Sequence, residues 1–218
     1  MRRTSQGFSL IELLVVLTIL GALAAGGTVW IRIAQKNKLK TLTNQRMQAI
    51  ASGLESVKKA IGYYPPTYTG DLKSPDGKEK VGEKVGVPNE TNIGIETVYI
   101  AFKMQGVNPD LQGLGDDAIQ NTDGDNVAEL VGDLQVTEMY EYVDAYGNPF
   151  VYFSAKDYKD VSKFEQYVKG DTVSTVKAAP HKSGKEGTFL EQNRFQLFSM
   201  GPDGEPNTED DIGWAFGN

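Results

Sequence analysis

The densest chemistry in the chain lies near its C-terminus. After Phe195-Gln196-Leu197-Phe198-Ser199-Met200-Gly201-Pro202-Asp203-Gly204 come Glu205, Glu209, Asp210 and Asp211, then Ile212-Gly213-Trp214. Carboxylates held close together repel, so a compact loop wants a cation, whereas an open one is a solvated acidic turn. Calcium is the cation that suits such oxygens, because it accepts a flexible shell of carboxylates and carbonyls. On the residues alone both readings stay open. A second acidic stretch places Asp116, Asp117, Asp123, Asp125 and Glu129 around Asn121-Thr122-Asp123-Gly124-Asp125-Asn126. Its closing Glu does not stand where an EF-hand needs it. Asp-Gly and Asn-rich runs are more often plain turns, so turns are expected here, with a second calcium as the alternative.

The third chemical position is Glu12, which heads a run without charge from Leu13 to Ile31. A carboxylate inside a membrane helix costs about 2.5–3.5 kcal/mol at the centre and less near an end. A simple anchor has no use for that cost, so a functional partner is expected rather than mere snorkelling to the interface.

Other chemistries are excluded. The chain of 218 residues has no cysteine and one histidine, His181. That removes disulfides, thiolate metal sites, cysteine catalysis and multi-histidine clusters. Gly-x-Ser-x-Gly, phosphate-loop and zinc motifs are absent, and an enzyme is not expected. Lys plus Arg number 22 against 29 for Asp plus Glu, a net charge of −7, which argues against a nucleic-acid partner.

The elements that position these residues follow from hydropathy. At about 1.5 Å per residue, the run Leu13–Ile31 nearly spans a hydrocarbon core of about 30 Å. Arg2 and Arg3 precede it, so the N-terminus is expected to stay cytoplasmic and the rest to be exported. From Ala34 to Tyr63, Leu39, Leu42, Met47, Ile50, Leu54, Val57 and Ile61 recur at helical spacing until Pro65 and Pro66 stop the helix. Residues 70–92 read as a solvated loop. Ile95, Val98, Tyr99 and Phe102 fit a short helix ending near Gly106. Tyr142 to Tyr152 reads as strand, Gly-Asn turn, strand, and Phe195 to Ser199 as a strand followed by a Pro-Asp-Gly turn. Residues 156–192 show weak strand hints only near Val173 to Val176.

The segment Gly7-Phe8-Ser9-Leu10-Ile11-Glu12, followed by LLVVLTILGALAA, resembles the class III signal of type IV pilins and type II secretion pseudopilins. That resemblance implies a prepilin peptidase cutting between Gly7 and Phe8, N-methylation of Phe8, and an apolar helix that becomes a filament core. It also implies that Glu12 meets the Phe8 amine of a neighbouring subunit and sets axial register. Many relatives carry a proline where this chain has Val29; Gly21, Gly26 and Gly27 stand nearby instead. Asp144-Ala145-Tyr146-Gly147-Asn148-Pro149-Phe150 is similar to a motif of the major, G-type pseudopilin, and the acidic ending is similar to that family's calcium loop. Carried over, Asp203, Asp210 and Asp211 supply side-chain ligands, and Met200 and Trp214 supply carbonyls.

The resemblance thus implies an α+β, type IV pilin-like fold, a long N-terminal helix packed on a small C-terminal antiparallel sheet. Its parts would be a cleaved leader 1–7, a transmembrane and filament-core helix 8–33, and a periplasmic domain 34–218. The expected role is a pseudopilus subunit in the inner membrane and periplasm. Its partners would be further copies of itself, minor pseudopilins, the prepilin peptidase and the membrane assembly platform. The alternative is a type IV pilin for adhesion, motility or DNA uptake, which usually closes its C-terminal region with a disulfide.

Overall fold

The computed structural model describes residues 9–74, 89–125, 139–170, 174–184 and 187–214, and only the backbone over 22–29. The expectations for Gly7, Phe8, Glu129 and most of the 70–92 loop lie outside the described residues. The chain divides into two units, Met1–Leu39 and Lys40–Asn218.

Helix α1, Leu10–Ile61, runs through both units over 52 residues. No proline interrupts it, and Gly62 ends it with φ 88°, its N–H reaching the Lys58 carbonyl at 2.7 Å. Lys58 and Lys59 in the last turn suit the negative end of the helix dipole. Within the second unit, Met47, Ile50, Leu54 and Val57 are buried, as the spacing requires. Leu39, Leu42 and Ile61 are only half-buried, and Thr43 and Arg46 lie inside instead. Helix α2, Ile93–Gln105, is buried at every position from Ile93 to Phe102 and is capped by Gly106 at φ 61°. A Cβ on Gly53 would stand 2.6 Å from Phe102 Cζ, so that glycine sets how closely α1 meets α2.

The strands are short and antiparallel. β1 (Ile119–Gln120) pairs with β2 (Glu141–Tyr142), and β4 (Gln166–Val168) with β5 (Thr175–Lys177). The central sheet has the order β3 (Val151–Ser154), β6 (Phe195–Ser199), β7 (Ile212–Gly213), with Val151 opposite Phe198 and Ser199 opposite Ile212. Every residue of β3 and β6 is buried, so the polar positions in their alternation do not face water. Gln196 accounts for itself: Oε1 accepts from His181 N–H at 2.6 Å, and Nε2 donates to the carbonyls of His181 and Leu190. Of residues 156–192, β5 overlaps the weak strand hint near Val173 to Val176, whereas β4 had no signal.

The expected hairpin from Tyr142 to Tyr152 is splayed. Its turn is held by Asp144 N–H on the Asn148 carbonyl at 2.8 Å, but its arms join different sheets, linked by a bridge between Val143 and Pro149. Pro149 has no N–H to give, and the Phe150 N–H makes the next bond, to the Tyr142 carbonyl at 2.9 Å. The result is an α+β chain with a long N-terminal helix and a small antiparallel sheet.

Candidate functional site

In the first unit, α1 opens on a reciprocal cap. The Ile11 N–H donates to Ser9 Oγ at 3.3 Å, and the Ser9 N–H donates to Glu12 Oε2 at 2.9 Å. This is a capping box, which satisfies amides that a helix start leaves open. Glu12 therefore has a partner within its own chain. Beyond it, Leu13, Leu14, Val15, Val16 and Leu17 are all exposed, and five consecutive positions cover every side of a helix. Apolar exposure on this scale marks a surface that something covers. Among the described residues no helix is long and apolar enough to cross a membrane. The run Leu13–Ile31 includes residues 22–29, whose side chains are not among those described.

In the second unit, the C-terminal acidic loop joins β6 to β7. Gly201 and Gly204 both take φ 66°, and a Cβ on Gly201 would lie 2.7 Å from Asp210 Oδ2. The loop thus turns back on itself only because glycine stands there. Thr208 Oγ1 donates to Asp210 Oδ1 at 2.6 Å. That bond, outweighing slight burial, and contacts from Asp203 hold the Asp210 carboxyl below its ordinary range. Asp203 Oδ1 accepts the Glu205 N–H at 2.8 Å, and Glu205 pairs with Lys169. Asp211 Oδ2 accepts the Asn207 N–H at 2.7 Å and lies 3.0 Å from His181 Nε2, whereas its Oδ1 is buried without a hydrogen-bond partner. Met200 is buried, and Trp214 donates its N–H to the Leu197 carbonyl and stacks on Phe195 at 4.8 Å. Asp203 and Asp210 are therefore brought together, while Asp211 faces the histidine side of the loop.

A different acidic group lies in the interior. Glu96 stands in the first turn of α2, Asp123 and Asp125 in the loop after β1, and Glu141 in β2. Glu96, Asp123 and Glu141 each offer one oxygen, all within 4.8 Å of one another. Asn92 Nδ2 and Thr122 Oγ1 donate to Glu141 Oε1 at 2.9 and 3.2 Å, and Thr122 N–H donates to Oε2 at 2.8 Å. Asn89 Nδ2 bridges Asp123 Oδ2 and Asp125 Oδ2 at 3.0 and 3.2 Å. Burial, then the acidic neighbours, push Glu96 well above the carboxylate range. Burial and Asp123 push Asp125 up to about 7. Burial pushes Glu141 up to about 8, against the bonds from Thr122 and Asn92.

Comparison with known proteins bears on the first of these three places. The family described as the prokaryotic N-terminal methylation motif matches residues 2–28. The chain carries the methylation motif. This is the type IV pilin and pseudopilin signal, and it covers Gly7, Phe8 and Glu12. The match does not reach the second unit, and no curated protein or solved structure matches the chain. The methylation motif ends inside the apolar part of α1, so the same helix that carries the signal carries the exposed apolar side chains.

The second acidic stretch does not act as one cluster. Asp117 pairs with the buried Arg46, whereas Asp123 and Asp125 turn to Glu96 and Glu141. Sequence reasoning missed the two glutamates. Glu96 had a signal: it stands three positions after Ile93 and four before Ile100, on a face otherwise apolar. Glu141, between two tyrosines in a two-residue strand, had none.

Proposed function

We propose that the chain is the major subunit of a type II secretion pseudopilus, a structural protein that acts by polymerising and has no turnover of its own. The observation that carries this reading is the methylation motif at residues 2–28, continuous with a helix whose apolar side chains are exposed all round. In this reading a prepilin peptidase cuts between Gly7 and Phe8 and methylates Phe8. The helix first holds the subunit in the inner membrane, with the N-terminus cytoplasmic and the second unit periplasmic. It then packs against copies of itself, aided by minor pseudopilins and the membrane assembly platform, and the growing filament moves exported proteins through the outer membrane.

Glu12 in this reading changes partner on assembly, from its own Ser9 amide to the Phe8 amine of a neighbour. Two variants separate the roles. Glu12→Gln can keep the capping bond but loses the charge, and Glu12→Ala loses both. Processed, inserted protein that fails to assemble in both variants supports the charge role; filaments from Glu12→Gln would reduce Glu12 to a cap.

We assign structural calcium to the C-terminal loop, through Asp203, Asp210 and Asp211 and the carbonyls of Met200 and Trp214. The contact between Asp203 and Asp210 and the partnerless Asp211 Oδ1 fit an oxygen-seeking cation. Such an ion would neutralise the loop and hold β7 against β6.

The deciding experiment is a deletion strain scored for secreted proteins, surface pili and twitching. Exported proteins retained in the periplasm beside normal pili support the pseudopilus. Lost pili with normal secretion would make the chain a type IV pilin, and neither defect would overturn both.

A further inference from the structure

The buried acidic group is distinct from the C-terminal loop and stands whether or not that loop takes a cation. Acidic side chains gather on many protein surfaces without a ligand, but here Glu96, Asp125 and Glu141 are buried and Asp123 is half-buried. Glu96 is 1% exposed, and its Oε1 meets no hydrogen-bond donor. Asp125 is 8% exposed, and its Oδ1 is likewise buried and without a donor. Asp125 lies near enough to act on Glu96, and Asn89 ties it to Asp123. The charged groups that act on Glu96 are Asp123, Asp125 and Glu141, all of the same sign. Among the described residues, no lysine or arginine pairs with any of the four. Asp117, earlier in the same stretch, has the arginine that these lack.

The neutral donors around the group orient it without discharging it. Asn92 fixes Glu141 with Nδ2 while its Oδ1 accepts the Val168 N–H at 2.9 Å. Asn121 folds the aspartate loop, accepting from Gly124 N–H and donating to the Asp125 carbonyl, both at 2.7 Å. Glu141, Asp123 and Asp125 are thus held in place by a shell of amides and a hydroxyl. A buried carboxylate in such a place either takes a proton or faces a cation.

We propose that Glu96, Asp123 and Glu141, with Asp125 beside them, bind a hard divalent cation, calcium in preference to magnesium. Calcium–oxygen bonds of about 2.3–2.6 Å put two ligands of one ion at most about 5 Å apart. The oxygens of Glu96, Asp123 and Glu141 meet that condition, lying within 4.8 Å of one another. Magnesium keeps much of its water and rarely takes a cage of several protein carboxylates, which favours calcium. The ion would tie the start of α2, the loop after β1 and β2 into one structural joint.

The test uses the full chain in detergent, stripped with a chelator and titrated with calcium chloride or magnesium chloride by calorimetry. The background is Asp203→Asn, Asp210→Asn, Asp211→Asn, which removes the C-terminal ligands. In that background one calcium per chain is expected, and at about a hundredfold excess over Kd it should raise Tm by about 5–10 °C. Adding Glu96→Gln or Asp123→Asn should abolish both. No calcium bound to the folded triple variant overturns the proposal, and magnesium binding as tightly as calcium overturns the choice of ion. Should the triple variant not fold, the count is taken on the otherwise unaltered chain. A fall of one calcium with Glu96→Gln supports the site, and an unchanged count refutes it. Loss of calcium from Asp210→Asn alone concerns only the C-terminal loop.

Discussion

The chain holds two acidic regions of opposite character. In the C-terminal loop the acids are dense in sequence, yet most find partners: Asp210 has Thr208, Glu205 has Lys169, and Asp211 has Asn207 and His181. In the interior group the acids are sparse in sequence, yet three of the four are buried, and two oxygens stay without a donor against one, Asp211 Oδ1, in the loop. The difference shows that the electrostatic burden of a carboxylate is set by water and neighbours, not by the number of acids nearby in the chain. The Asp210 carboxyl is held below its ordinary range, while Glu96, Asp125 and Glu141 are all pushed above theirs.

The largest expected effect concerns a third arrangement, an acid already matched by a buried cation. Arg46 is 1% exposed and donates to the carbonyls of Leu114, Val143 and Asp144 and to Asp117. Arg46→Met removes the guanidinium donor from all three carbonyls and the partner of Asp117, and should lower stability by about 3–5 kcal/mol in denaturant unfolding. A loss under about 1 kcal/mol would mean that the pocket accepts water readily, and would weaken the contrast between buried and exposed acids.

Asp144 tests the effect of burial where hydrogen bonds are complete. Its Oδ1 accepts the N–H groups of Tyr146 and Asn148 at 2.8 and 2.9 Å, and Oδ2 accepts Ser199 Oγ, yet burial still pushes its pKa up to about 6. The folded value exceeds the unfolded one of about 3.9, so the folded state holds the proton more tightly and stability falls as pH rises between the two. Relative to Asp144→Asn, the wild type should lose about 2 kcal/mol from pH 4 to pH 6, with little change above. A difference between the two proteins that stays flat over that window would show an ordinary carboxyl.

The direct comparison comes next, and its sign matters more than its size. Without divalent cations, Glu96→Gln removes a charge that burial and like neighbours oppose, and should stabilise the second unit by about 1–3 kcal/mol. Asp210→Asn removes a carboxylate whose ionised form Thr208 and Asp203 favour, and should be neutral or slightly destabilising. Matched signs in thermal melts of the chelated proteins would erase the distinction between the regions. The smallest effect belongs to Glu55, which pairs with Arg194 and accepts from Tyr64 Oη at 3.0 Å in a half-exposed setting. Glu55→Gln should cost less than about 1 kcal/mol, checked by urea unfolding.

Much of the architecture was legible in the residues. The charge-free run, the Met47–Val57 stripe, the proline pair and Gly106 marked the helices, because helix period and stop signals are local. The Phe195–Ser199 strand was visible for the same reason. Arg46 was not legible as an interior residue, because its burial depends on carbonyls of Leu114, Val143 and Asp144 far along the chain. The strand, turn, strand from Tyr142 to Tyr152 was legible, and its arms pair beside the turn; that they continue into separate sheets was not, because long-range partners make that choice.

The sequence by itself determined the methylation motif, the helical backbone that carries it, and the supply of oxygen ligands in a chain without cysteine. These depend on residue order over short stretches. Only the tertiary structure decided that Asp211 turns to His181 and that Glu96 and Glu141 join Asp123. The physical reason is that desolvation and the field at a carboxylate are sums over neighbours in space, and those neighbours come from segments that only folding brings together.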